Sequence, residues 1–262
     1  MTNKDTSPEA IRRRTLAALD ILDSAPEDEF DALVRAARRI FGARTAYISL
    51  IDTDRQWFKS REGFEPSEVS RECSICATAV DEGREIVVEN LQEHPVYGKK
   101  PEIAAMPHFQ FFATIPFMGP SIDGLSAPIG TLCVIDDRPW IAAREELDEL
   151  RHLAKVIESL LRSRLRAKLL ETALIERKEL VDELRRTQRQ FELAEEMAKV
   201  GHWRMDLESQ ELFWSRQTAA IHAIENPTKS TCGQSPQQSS IGEGKVKEAI
   251  ARYNSPQTEH KP

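Results

Sequence analysis

The spacing of hydrophobic positions changes several times along the chain, and each change marks an element. Ser7-Pro8-Glu9 reads as a helix cap with proline in the first turn, and Ile11, Leu16, Leu19 and Leu22 follow on one approximately helical face. Ser24-Ala25-Pro26-Glu27 has capping-box spacing, and Phe30, Leu33, Ala37, Ile40 and Phe41 continue at helical period as far as Gly42, a residue suited to the C′ position. Strands are predicted over 45–51 and 56–62, on either side of the acidic turn Asp52-Thr53-Asp54-Arg55. A short helix over Ser74–Val80, a strand over Glu85–Glu89 and a proline-containing loop over 91–108 come next. Phe109–Phe117 and Ala127–Ile135 read as two more strands, joined across the turn Gly119–Gly124. This order predicts an α+β domain in which helices flank an antiparallel sheet.

From Ala142 to about residue 198 the chain has neither proline nor glycine, so one long helix is predicted. Leu170, Leu174, Arg177, Val181, Leu184, Gln188 and Phe191 lie at alternating steps of four and three, the spacing of a coiled-coil seam. Leu170, Leu174, Val181, Leu184 and Phe191 are its apolar members, and the expectation is a parallel homodimer rather than a solitary charged helix. Gly201 ends the helix, and Gly201–Asp206 and Glu211–Ser215 read as two short strands. Beyond Asn226 the chain turns polar and low in complexity, so 226–262 is expected to be mostly disordered, with a short helix near Gly244–Tyr253.

Composition narrows the classes. A formal net charge of -7 argues against a nucleic-acid binder, whose phosphate contacts need a basic surface. No run approaches the roughly 20 apolar residues of a membrane span, and the N-terminus lacks the apolar stretch of a signal peptide. A cytoplasmic protein is expected.

Cysteines stand at 73, 76, 133 and 232. Cys73 and Cys76 form a C-x-x-C, but a structural zinc site needs four ligands and no second pair follows. Cys133 lies within the apolar run Thr131–Ile135, so Cys76 and Cys133 are expected to be buried and inert, with Cys73 the more exposed. His152 is followed by Leu153 with no proline downstream, unlike a phosphoacceptor histidine. Asp136-Asp137 sits in a turn, where aspartate favours the backbone geometry. Nothing assembles nucleophile, base and oxyanion donor, so no catalytic residue, metal or cofactor is expected.

Residues 8–165 resemble a GAF domain of the bacterial signalling type. The likeness rests on Leu19–Glu27, Phe30-Asp31-Ala32-Leu33, Ser49–Asp52 with Asp54–Ser60, Ser74–Ala77, and Gly130–Asp136. It implies a small-molecule pocket near Trp57, Phe58, Ser74, Cys76, Phe111 and Phe112. Two departures fall on the pocket side: Thr78 where the family commonly has histidine, and His94-Pro95 where it has aspartate-proline. Cys76-Ala77 does not match the Cys-His pair of bilin-carrying relatives, and the signature of cyclic-nucleotide binders is missing. Phe191–Asp206, continued by Trp214-Ser215 and Ile221-His222, resembles the opening of a PAS sensor domain. The predicted division is therefore a GAF sensor over 8–165, a helical transmitter over 166–198, a partial PAS-like segment over 199–225 and a tail over 226–262. The resemblance implies a signalling protein that senses a small molecule or a partner and passes the signal through a dimer helix. The alternatives are a free methionine sulfoxide reductase using Cys73 and Cys76, or the N-terminal sensory fragment of a histidine kinase or diguanylate cyclase. A purely structural dimerisation module is a further one.

Overall fold

The computed structural model describes residues 5–99, 103, 108–205, 211–221 and 230–231. These fall into two compact units, Met1–Ala173 and Leu174–Pro262.

The first helix, α1 (Pro8–Leu19), starts as its sequence predicts: the Ser7 side chain accepts from the Ala10 N–H, and Pro8 occupies the first turn. The second, α2 (Asp28–Phe41), buries Phe30, Val34, Ala37 and Phe41, and ends on Gly42 at φ 55°. Its start corrects the capping-box reading. Glu27 takes the N-cap position without a side-chain cap bond, because its carboxylate is claimed by Lys59 and Arg164. Ser24, expected as the cap, donates to the Ile21 carbonyl instead.

Strands β1 (Thr45–Ile51), β2 (Arg55–Glu62), β3 (Glu68–Ser70), β4 (Ile86–Val88), β5 (Phe111–Met118) and β6 (Pro128–Asp136) form one antiparallel sheet in the order β3-β2-β1-β6-β5-β4. The strands read from sequence are present, β1 with the predicted bounds; β3 was not anticipated, being short and polar. The central pair, β1 and β6, is in close contact: a Cβ added at Gly130 would stand 2.2 Å from the Ser49 carbonyl oxygen. Only glycine fits there, so the Gly130 of the GAF-like wording is a packing requirement.

Alternation along the strands divides the apolar residues between two faces. On one face α1, α2 and the start of the long helix α4 (Arg144–Ala198) cover Ile48, Leu50, Trp57, Phe111, Phe117, Leu132 and Val134. On the other, α3 (Ile75–Glu82) lies over Tyr47, Ile51, Phe58, Phe112, Cys133 and Ile135. The sheet is therefore buried on both sides, which is why β1 reads as a nearly continuous apolar run instead of an alternating one.

Helix α4 is unbroken over its 55 residues. Leu150, Ala154, Ile157 and Leu161 form part of the helical-face core. In the second unit, β7 (Trp203–Met205) and β8 (Glu211–Trp214) pair antiparallel, as predicted. The short helix α5 (Arg216–Ile221) and the strand β9 (Ser230–Thr231), which pairs with β8, were not anticipated. Apart from β9 the tail expectation lies outside the described residues, as do the helix expected near 244–253 and Cys232. Among the described residues no helix is long and apolar enough to cross a membrane.

Candidate functional site

The face beneath α3 is where the sequence reading places a pocket. Ser74 sets α3 in position: its hydroxyl accepts from the Ala77 N–H at 2.9 Å and donates to the Gln56 side-chain carbonyl. Gln56 in turn donates to Ser49 at 2.8 Å, and Ser49 meets Thr131 at 3.1 Å. All four are buried, so a continuous chain of satisfied polar groups ties the start of α3 to β2, β1 and β6. Such a chain fixes one arrangement, because breaking any member strands a polar group away from water.

Beside it lies a second cluster. Register places Tyr47, Cys133 and Thr114 in one row across β1, β6 and β5. Cys76, at the second position of α3, lies over that row. Its sulfur is 3.6 Å from the Tyr47 hydroxyl and 3.6 Å from the Thr114 hydroxyl. The burial expected of Cys76 and Cys133 is observed; the surroundings of Cys76 are not apolar. Burial alone would raise the Cys76 thiol, but hydrogen bonds from Cys133, Thr131, Tyr47 and Thr114 outweigh it and bring the pKa down to about 6. The helix start adds to this, since unpaired N–H groups there favour negative charge. Burial pushes Cys133 and Tyr47 well above their ordinary values, with the charge on Cys76 adding to the effect, so both remain donors.

The predicted pocket residues separate by strand parity. Phe58, Ser74, Cys76 and Phe112 come together under α3, whereas Trp57 and Phe111 point to the helical face among α1, α2 and α4. Neighbours in sequence on one strand face opposite ways, so Trp57 with Phe58, or Phe111 with Phe112, cannot line one pocket. Among the described residues the α3 face is filled by side chains: Tyr47, Phe58 and Phe64 stack edge-on or tilted, with centroids 4.8–5.5 Å apart, and Phe64 meets Phe109. Cys73 is partly exposed in the turn before α3.

An open cleft of about 570 Å³ lies elsewhere, between α1 and the β1–β2 turn, lined among others by Arg13, Arg14, Asp20, Asp52 and Thr53. The sequence reading singled out neither Arg13 nor Arg14. Among the described residues no cluster of histidine, cysteine and acidic groups has the makings of a metal site. The seam residues Leu170, Leu174 and Leu184 are 66%, 63% and 67% exposed in the single chain.

A family model described as the GAF domain matches residues 25–161. A cyclic di-GMP phosphodiesterase of Pseudomonas aeruginosa is 28% identical over 147 residues, which is 56% of this chain and 24% of that protein. The match thus spans about a quarter of that relative's length. Among solved structures, the free methionine-R-sulfoxide reductase of Neisseria meningitidis with its substrate is similar at 17% identity and a TM-score of 0.44, over 64% of this chain and 95% of that one. The GAF domain of an Acinetobacter phosphoenolpyruvate-protein phosphotransferase is similar at 14% identity and a TM-score of 0.42, over 66% and 99%. With just over half of its residues matched by the family model, the chain belongs to the GAF domain family.

Proposed function

We propose that the chain is a signalling module in which the GAF domain sets the state of a dimer helix, and that it performs no chemistry on a substrate of its own. The observation behind this reading is the double use of α4. Leu150, Ile157 and Leu161 are fully buried in the domain core, so the helix start cannot shift independently of the sheet. Leu170 lies about two and a half turns beyond Leu161 on a helix of 3.6 residues per turn, on the opposite side, and opens an exposed apolar stripe through Leu174, Val181 and Leu184. A helix packed into its domain at its start, with an apolar stripe running along the bare turns beyond, suits a second copy of the chain against that stripe. A change in core packing would then rotate or splay that seam.

On this reading the protein is a cytoplasmic homodimer whose output is another protein or a further module. The named relative makes a cyclic di-GMP enzyme one candidate output. In the same proposal β7, β8 and α5 belong to the partial PAS-like segment that follows the transmitter. The test is solution mass by light scattering. Wild type should be a dimer, Leu174→Ala with Leu184→Ala should shift it to monomer, and Lys178→Ala should change little. An unchanged mass for the double variant sinks the dimer helix.

A further inference from the structure

We infer that the cleft between α1 and the β1–β2 turn is a binding site for a small organic phosphate, a phosphomonoester head carried on an apolar body. Its shape comes from the helix. Ala10, Arg13, Arg14 and Ala17 stand three and four residues apart on α1, so they share one face. The two alanines leave open the space that longer side chains would fill. Asp52 and Thr53 of the turn form the opposite wall, and Leu16 and Leu22 add apolar surface. The volume of about 570 Å³ is that of a small-molecule site, so an inorganic ion alone would leave most of it to water.

The charge left uncompensated in this cleft is positive. Asp20 is taken, since its Oδ2 accepts from Lys168 Nζ at 2.6 Å. Asp52 accepts from the Thr53 N–H at 2.8 Å and from Arg55 Nε at 3.3 Å. Three neighbouring arginines are paired as well: Arg12 and Arg71 with Glu9 and Asp81, and Arg55 with Asp23. Arg13 and Arg14 differ, for neither makes a hydrogen bond or an ion pair among the described residues. The Asp5 carboxyl, held low chiefly by the Ser7 N–H, also feels Arg14 but does not pair with it. Arg14 Nε is shut off from water with no acceptor, a costly state for a donor. No protein acceptor holds that guanidinium, so turning it onto an incoming anion breaks no bond. Two guanidiniums side by side suit a phosphate better than a carboxylate. A phosphomonoester carries close to two negative charges at neutral pH and offers three acceptor oxygens to two forked donors.

The cleft adjoins the joint between α1 and α4. Asp20, on its wall, is the residue that Lys168 grips, and the Asp20 carbonyl accepts from Arg164 at 3.0 Å. A bound phosphate brings negative charge beside that joint. This deepens the signalling reading, and only the consequence for α4 rests on it; the binding does not.

The experiment titrates the full chain with phenyl phosphate by isothermal calorimetry, in a phosphate-free buffer at low ionic strength. Saturable binding of one phenyl phosphate per chain is expected, with inorganic phosphate competing more weakly and phenol not binding. Arg13→Gln with Arg14→Gln should weaken binding about tenfold or more. Ala17→Leu, which keeps the charge but fills the cleft, should weaken it as much, and Arg35→Gln, at an exposed position on α2, should leave it unchanged. Circular dichroism checks that each variant is folded; should the arginine pair fail, Arg13→Gln alone, at an exposed position, should weaken binding about threefold. Absence of saturable binding to the wild type overturns the inference. So does a loss with the arginine variants and none with Ala17→Leu, which marks a surface charge effect. Benzoate bound as tightly as phenyl phosphate overturns the assignment to phosphate. Each of these failures leaves the oligomer test above unaffected, because that test reads the exposed stripe of α4.

Discussion

Lys59 of β2 and Arg164 of α4 donate to the same oxygen, Glu27 Oε1, at 2.5 and 2.6 Å. The Lys59 ammonium is wholly buried, held also by Ser24 and the Ala25 carbonyl and lying over the Phe30 ring. Arg164 further donates to the carbonyls of Leu19 and Asp20 at the end of α1, where a cation is favoured. One carboxylate in a loop thus joins the sheet to the helix that leaves the domain.

Removing that carboxylate should cost more than removing the lysine. Glu27→Ala leaves the buried ammonium without its counter-charge; Lys59→Met leaves Glu27 paired with Arg164 and open in part to water. We expect a loss of about 2–4 kcal/mol for Glu27→Ala and clearly less for Lys59→Met. Urea unfolding of the full chain measures both, and equal losses would show that the shared carboxylate does not matter in this way.

Cys76 should make stability depend on pH. Its folded pKa of about 6 lies below the ordinary 9.0, so between those values the unfolded chain binds the extra proton and stability rises with pH. The contribution is complete above pH 9 and is lost as pH falls through 6. Its slope is at most about 1.4 kcal/mol per pH unit. The other titratable groups on the row beneath it are Tyr47 and Cys133, both raised; the unfolded Cys133 thiol starts to lose its proton as pH nears 9.0 while the folded one keeps it, so an opposing slope enters only at the top of this window. Unfolding midpoints taken between pH 6 and 8 should climb in the wild type, and Cys76→Ser should flatten the climb.

Gly130→Ala should be among the most damaging single changes. The added methyl would meet the Ser49 carbonyl at 2.2 Å and the Phe117 ring at 2.7 Å, and the neighbouring backbone must move to admit it. A loss of about 3 kcal/mol or more is expected, read as a lower thermal midpoint. A midpoint within a few degrees of wild type would mean that β1 and β6 separate easily.

The two stripes of α4 should respond differently. Ile157→Ala opens a hole in the domain core and should cost about 2–5 kcal/mol at any protein concentration. Leu170→Ala, at an exposed position, should leave the monomer's unfolding unchanged and act only where the chain associates. Unfolding followed across a range of protein concentrations separates the two.

Local pattern determined most of the fold. Periodicity located α1, α2, the paired strands and the unbroken α4, because amphipathic spacing and the absence of proline and glycine act within a few residues. Word order from Leu19 to Asp136 pointed to the family, since those residues pack the core and cap the elements. The sheet order and the depth of burial at Lys59 were decided only in three dimensions. Lys59 reads as a surface lysine until Glu27 and Arg164, distant in the chain, close over it. The separation of Trp57 from Phe58 and of Phe111 from Phe112 also waited on the structure: with the sheet buried on both faces, every position on the inner strands reads apolar and the pattern cannot tell the faces apart. The placing of Cys76 over the row of Tyr47, Cys133 and Thr114 depends on how α3 settles over the sheet. No spacing in the chain records it, because long-range pairing is set by packing and not by neighbours in sequence.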